Sequence, residues 1–306
     1  MTLETGAPLS SYTRFAIGGP AAIVADVRSP SQLAEARAII GDARVPWVML
    51  GEGSNVIAAD SGYRGVVLRF TGSRIVRSGP VVEVEAGTPL QRLVDYSISQ
   101  GLSGIHTMTG IPGWVGAAVY GNAGAYGRSM HESVTEVRFF DGTTIRAIDN
   151  AECSFRYRES IFKKHKTWTI LGASLALNHG GKDELAKQAA EIRAVRDAKY
   201  PPTMRCAGSI FKNCILSELP APVAGVVPAH LIREGKVPSA WFLEQVGAKG
   251  MRLGGIQVAS YHANLIYNDG GGTASEARQV IGSLKQRVLD RFGLALEEEV
   301  QYLGFE

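Results

Sequence analysis

Residues 104–127 read GIHTMTGIPGWVGAAVYGNAGAYG, and the rest of the chain is best read outward from them. Seven of these 24 positions are glycine and none is Asp, Glu, Lys or Arg. A flexible linker would be rich in Ser, Glu or Lys and would not carry Trp114 or Val119. The stretch is therefore folded and close-packed. Glycine permits positive φ and lets other groups approach the backbone where a Cβ would stand. Closely spaced, exposed main-chain N–H groups make anion-binding nests. Two readings follow: a backbone cradle for a large phosphorylated cofactor, or a glycine-rich turn system packed inside a β domain.

The whole chain has 306 residues, enough for two or three domains and a sizeable core. Glycine is abundant, at 36 residues, and net charge is only +3. Lys and Arg are scattered, so no nucleic-acid footprint is expected. No apolar run reaches the roughly 18 residues of a membrane span. The opening Met1-Thr2-Leu3-Glu4 has no basic or apolar leader character, so a cytoplasmic protein is expected. The cysteines, Cys153, Cys206 and Cys214, suit free thiols, and no His or Cys stands at ligand spacing to suggest a metal.

Periodicity divides the chain into three α+β parts. In 1–70, strands are expected at 21–27, 45–50 and 66–70, with a helix at 30–40 opened by Pro30 and Ser31. In 71–200, alternating residues at 74–86 precede a helix at 89–100. A hairpin follows at 134–148 around Asp141-Gly142, then a strand at 170–177 and a helix at 183–199. Tyr200-Pro201-Pro202 marks a boundary. In 201–306, a helix is expected at 238–246, strands at 254–258, 263–267 and 298–303, and a long helix at 274–292 opened by Thr273. Its apolar stripe includes Ala277, Val280, Ile281, Leu284, Val288 and Leu289.

Several short patterns could carry chemistry. Gly51-Glu52-Gly53-Ser54-Asn55 follows a strand like a phosphate-binding turn. It lacks the Lys-Ser/Thr of a Walker loop and the GxGxxG-to-helix of a Rossmann site, and taken by itself an ordinary turn explains it better; beside residues 104–127 it suits a diphosphate. Tyr157-Arg158-Glu159-Ser160 offers a guanidinium for a carboxylate or phosphate, or a surface ion pair. Ser209, after Gly208 and before Lys212 and Asn213, is no nucleophile elbow; it could relay a proton or cap a turn. Glu297-Glu298-Glu299 opens the last strand. Strict alternation there puts Val300 and Tyr302 on one face, and Glu299, Gln301 and Leu303 on the other, so that Glu299 is partly buried.

Taken in order, these patterns resemble the UDP-N-acetylenolpyruvoylglucosamine reductase family over nearly the whole chain. The resemblance rests on Tyr12-Thr13-Arg14-Phe15 with Gly18-Gly19-Pro20, Leu50 to Asn55, Gly110-Ile111-Pro112-Gly113, and Asn122-Ala123-Gly124-Ala125-Tyr126-Gly127. It continues through Tyr157 to Ser160, Gly208-Ser209 with Asn213, His262-Ala263-Asn264, and Leu296 with Glu299-Val300. It implies an α+β fold with a two-part FAD-binding domain of the vanillyl-alcohol-oxidase (PCMH) type, at 1–70 and 71–200. A C-terminal α+β substrate-binding domain would follow at 201–306.

The same resemblance implies non-covalent FAD, NADPH as reductant, a UDP-sugar substrate and a monomeric enzyme. FAD contacts would come from Tyr12, Arg14, Gly51, Gly53, Ser54, Asn55, Gly110, Ile111, Pro112, Gly113, Gly116, Asn122, Ala123 and Gly124. Hydride would pass from reduced flavin N5 to C3 of the enolpyruvyl group, and a proton from Ser209 to C2. Arg158 would steady the developing enolate, and Glu299, protonated or sharing a proton, would hydrogen-bond the same group. Lys212 or a water would return a proton to Ser209. Tyr157, Lys199, Asn213 and His262 would bind substrate. The short stretch between Ser160 and Lys199 matches the subtype without an extra substrate-capping loop. Glu52 and Tyr120-Gly121 depart from the commoner residues there. A flavin oxidase using oxygen and a non-catalytic nucleotide-sugar binder are the alternatives. The first leaves Ser209 and Glu299 without a role; the second has no reason to keep Arg158, Ser209 and Glu299 together.

Overall fold

The computed structural model describes residues 1–305, which fall into two compact units. One holds Met1–Ala7, Ala21–Glu52 and Arg64–Pro201; the other holds Pro8–Pro20, Gly53–Tyr63 and the chain from Pro202 onward. The compact units thus cut the chain differently from the linear division at 70 and 200. Two short stretches near the N-terminus fold with the C-terminal part.

The first unit contains two larger sheets and two short two-stranded ones. A four-stranded sheet runs in the order Thr2–Pro8, Pro20–Val27, Tyr63–Phe70, Trp47–Met49. The strand at Thr2–Pro8 escaped the periodicity reading because most of its residues are exposed on both faces. The helix Pro30–Ala43 is capped by Ser29, whose hydroxyl accepts the Gln32 N–H at 3.3 Å; Pro30 follows as the first helical residue. The helix thus opens at Pro30 as expected, with Ser29 rather than Ser31 as its capping serine.

The second sheet of this unit is antiparallel, in the order Ile145–Asp149, Val134–Phe140, Thr169–Ala176, Val81–Glu85, Ile75–Ser78. Its expected hairpin turns at Asp141, whose carboxylate accepts the N–H groups of Thr143 and Thr144 at 2.8 Å each. Helix Leu90–Ser99 buries Leu90, Leu93 and Val94 against this core. Phe139 is fully buried and stacks on Trp168 at 4.5 Å between centroids. Burial of one such ring stabilises by about 2–3 kcal/mol.

The second unit has its own core, which includes Phe15, Ile57, Phe211, Phe242, Ile281 and Leu284. Its sheet runs Cys206–Ser209, Leu265–Asn268, Ile256–Val258, Arg252–Leu253. Helix Ala274–Phe292 begins with a Thr273/Glu276 capping box and ends at Gly293 in the left-handed region. Asp60 reinforces the start, accepting the Ala274 and Ser275 N–H groups at 2.8 and 2.9 Å. The expected apolar stripe is buried through Val288, but Leu289 is 42% exposed, one residue off the stripe.

Residues 53–63 join this unit through Val56–Ala58, which pairs in parallel with Gln301–Leu303. Asn268 adds a second tie, donating to the main-chain oxygens of Phe15 and Ala16 at 3.3 Å each.

The final strand is shorter than the expected 298–303, and strict alternation fails at Val300. Glu298 bridges to Phe211, and the N–H groups of Glu299 and Val300 both point to the Ile210 oxygen, at 2.7 and 3.4 Å. Only Gln301–Leu303 pairs with Val56–Ala58. The change of partner breaks the period, so Val300 is buried while Tyr302 is 39% exposed. Glu299 is half-buried, on the irregular side of that break.

Candidate functional site

In the first unit the glycine-rich segment is turned into a short scaffold. Within it, Val115–Tyr120 forms a helix, an element that its glycine content concealed. The Val115 and Gly116 N–H groups donate to the oxygens of Thr88 and Ala86 at 2.8 Å each. A side chain at Gly116 would meet the Ala86 Cβ at 2.8 Å, so the helix lies too close to that strand end for any larger residue. Gly110 is held by Gln91, whose Oε1 accepts its N–H at 2.7 Å and also takes the Arg193 guanidinium at 3.3 Å. Ile111 and Pro112 lead from there to Gly113, the first residue beside Trp114.

Three side chains fasten the segment 120–124 to the turn that carries Tyr157 and Arg158. Asn122 donates to the Arg156 oxygen at 2.9 Å and accepts the His131 N–H at 3.0 Å. Ser160, buried, donates to the Tyr120 oxygen at 2.7 Å. Arg158 donates to the Gly124 oxygen at 3.1 Å, and its guanidinium lies 5.3 Å from the Tyr157 ring centroid. The turn is closed by a reciprocal Arg156–Glu159 main-chain pair at 3.1 Å in each direction. Arg158 takes a positive φ of 56°, a left-handed conformation that a non-glycine residue adopts at a cost. Of the named residues in this unit, Asn122, Ala123, Gly124, Tyr157 and Arg158 thus come together. Lys199 ends the helix Lys182–Lys199, with its amine 5.2 Å from the Tyr200 ring. The residue as a whole is exposed, but desolvation around the amine, and then the Arg196 guanidinium, lowers its pKa.

In the second unit Ser209 and Glu299 are neighbours along the backbone ladder. Ser209 precedes Ile210, and Ile210 accepts the Glu299 N–H at 2.7 Å. Of the three consecutive glutamates, the first two pair with separate cations. Glu297 meets Lys212 at 2.5 Å, and Glu298 meets Lys285 at 2.6 Å and the Tyr302 hydroxyl at 2.5 Å. The carboxylate beside it pushes the Tyr302 phenol pKa up, behind a larger effect of burial. Lys212, proposed above to return a proton, is thereby ion-paired to Glu297. Asn213 is exposed one residue further on. His262 is half-buried, its Nδ1 accepting the Asn264 N–H at 3.1 Å.

Asn264, part of a motif but given no role from the sequence, proves central here. Its side-chain amide grips both main-chain groups of Phe211, accepting the N–H at 2.9 Å and donating to the oxygen at 2.8 Å. Its own carbonyl accepts the Ile210 N–H at 3.1 Å. Burial at 3% exposure means that these bonds cannot be replaced by water. A single sequence offers no signal for such a clamp 53 residues away.

The turn 51–55 tests whether a diphosphate-bearing cofactor fits. The N–H groups of Gly51, Glu52, Gly53, Ser54 and Asn55 donate to no acceptor among the described residues. So does the N–H of Gly113. Orphan amides in series are what a phosphate group satisfies. Gly53 has φ +68°, and a Cβ there would overlap the Tyr12 main-chain oxygen. Its own oxygen accepts the Arg14 N–H at 3.1 Å. Tyr12 and Arg14 are therefore packed on this turn, which fits the group. No group of three metal-ligating side chains occurs among the described residues.

Residues 20–147 match the FAD binding domain model, and residues 200–303 match the C-terminal domain model of UDP-N-acetylenolpyruvoylglucosamine reductase. The UDP-N-acetylenolpyruvoylglucosamine reductase of Solibacter usitatus is 55% identical over 304 residues, covering 99% of this chain and 97% of that protein. The chain belongs to the UDP-N-acetylenolpyruvoylglucosamine reductase family. The Rubrobacter xylanophilus member is 35% identical over 97% of this chain and 94% of its own. The crystal structure of the Thermus caldophilus reductase superimposes with a TM-score of 0.77 at 27% identity, covering 99% and 98% of the two chains. The expected architecture, an FAD-binding part of the PCMH type followed by the family's C-terminal α+β domain, is therefore correct for this family member. No described helix is long and apolar enough to cross a membrane.

Proposed function

We propose that the chain reduces UDP-N-acetylglucosamine enolpyruvate to UDP-N-acetylmuramate at the expense of NADPH, in peptidoglycan precursor synthesis. The observation that carries this reading is the 55% identity to a named reductase along 99% of the chain. FAD, when bound, supplies the hydride chemistry, taking two electrons from NADPH and delivering them to C3 of the enolpyruvyl group. The orphan main-chain amides of 51–55, on which Tyr12 and Arg14 are packed, would hold its diphosphate; the named residues of 110–124 are further cofactor contacts of the same reading.

The remaining roles belong to side chains. Arg158 is a fixed cation for the substrate carboxylate, on which negative charge develops once C3 is reduced. Its position is set by the Gly124 oxygen and the Tyr157 ring, so little reorganisation is needed. Ser209 gives its proton to C2. An alcohol is a weak acid, but a carbanion-like carbon is a strong base, so the transfer runs downhill. Glu299 hydrogen-bonds the same carboxylate end of the substrate. Tyr157, Lys199, Asn213 and His262 bind the UDP-sugar. A cytoplasmic setting and a monomeric state belong to the same proposal.

Incubation with NADPH and the enolpyruvyl substrate tests it. The expected product is heavier by two hydrogens, and in deuterium oxide it carries a deuterium at C2, delivered by a solvent-exchanged hydroxyl. Failure to consume the enolpyruvyl ether would overturn the reading.

A further inference from the structure

Asn55 is a side chain whose target lies 244 residues away. Its amide donates to the main-chain oxygen of Glu299 at 3.0 Å, and its own carbonyl accepts the Gln301 N–H at 3.0 Å. On the opposite side, the Glu299 N–H donates to Ile210 at 2.7 Å, one residue from Ser209. Both peptide groups of Glu299 are thus pinned, one to the Ser209 strand and one to the 51–55 turn. Its two preceding neighbours are anchored by their own carboxylates, Glu297 on Lys212 and Glu298 on Lys285 and Tyr302. The run 297–301 therefore has little freedom to rotate about its axis. The Glu299 oxygen is reached a second time by the Gln301 side-chain amide, at the longer distance of 3.3 Å. Meanwhile the main-chain N–H groups of the turn, including that of Asn55, have no acceptor among the described residues, so the turn meets a ligand with its main chain.

We infer that Asn55 is a positioning residue for Glu299, acting through the Glu299 carbonyl, and that its side chain is not a cofactor contact. The inference rests on the proposed reaction for the role of Glu299. Removing the donor takes away the shorter of two bonds to this carbonyl, leaving the Gln301 amide at 3.3 Å, and loosens the acid; a misplacement on the order of 1 Å costs up to about 100-fold in rate.

The test is a double-mutant cycle of Asn55→Ala and Glu299→Ala, read by stopped flow at saturating FAD. NADPH-reduced protein is mixed anaerobically with the enolpyruvyl substrate, and flavin reduction by NADPH is timed separately. Asn55→Ala is expected to slow flavin reoxidation about tenfold more than flavin reduction. In the Glu299→Ala background the same change is expected to cost less than about threefold, because the group it positions is gone. Equal losses in both half-reactions, or the same loss in both backgrounds, would overturn the inference and make Asn55 a cofactor contact. If the wild-type protein is not reoxidised by this substrate, the proposed function fails, and hydrogen exchange decides the positioning alone. Asn55→Ala should then speed exchange of the Glu299 and Val300 amides relative to those of helix Ala274–Phe292; unchanged exchange overturns it.

Discussion

The glycine-rich segment at 104–127 and the glutamate run at 297–299 are built by opposite means. The first is secured by polar side chains from nearby in the chain: Gln91 on Gly110, Asn122 on Arg156, Ser160 on Tyr120. The longest of these reaches 40 residues. The second adds to local ties, Lys285 and Tyr302 on Glu298, two that come from far away: Lys212 on Glu297 at a separation of 85 residues and Asn55 on Glu299 at 244. The glycine segment offers main-chain groups, so its chemistry is written in the absence of side chains. The glutamate run offers a side chain, so its chemistry depends on how each of three like residues is held.

If that contrast is right, the variants differ in kind as well as size. Ser209→Ala should give the largest effect, slowing flavin reoxidation by substrate about 10²–10⁴-fold while flavin reduction by NADPH persists, as timed by stopped flow. A normal second half-reaction would remove Ser209 from the mechanism. Arg158→Ala should slow the same step about 10²–10³-fold. Arg158→Lys should restore little, because an ammonium cannot hold both the Gly124 oxygen and a carboxylate in the fork geometry of a guanidinium.

Stability changes come next. Gly53→Ala should cost about 1–3 kcal/mol and lower Tm, because it demands positive φ and meets the Tyr12 carbonyl. Asn122→Ala should cost about 1–3 kcal/mol by freeing the Arg156 oxygen and the His131 N–H. Gly51→Ala, only two positions from Gly53, should fall within about 0.5 kcal/mol, since its Cβ would sit 3.5 Å from that of Ala117, an ordinary contact. Thermal melts of these three variants rank them; equal losses at Gly51 and Gly53 would contradict the account of the turn.

The parts that were legible in the sequence are those specified by residue type within one element. Asp141-Gly142 announced the hairpin, and Thr273 announced the long helix, whose capping box Glu276 completes. The order of motifs announced the family. What stayed hidden depends on pairing between distant segments. Nothing in Val56–Ala58 says that it will take Gln301–Leu303 as its neighbour, because three apolar residues fit any sheet edge. The same holds for the clamp of Asn264 on Phe211 and the tie from Asn268 to Phe15. The helix Val115–Tyr120 was masked by glycine, which is a poor helix former in isolation, here required by the approach to Ala86. Of the candidate site, the residue types were legible, but the means by which Glu299 is held were not.

Anaerobic mixing of the NADPH-bleached protein with UDP-N-acetylglucosamine enolpyruvate asks the chemical question in a single trace. The account predicts that the yellow flavin absorbance returns before any oxygen is admitted, with one equivalent of substrate reduced per flavin. Absorbance that stays bleached until air enters would contradict it and point to an oxidase instead.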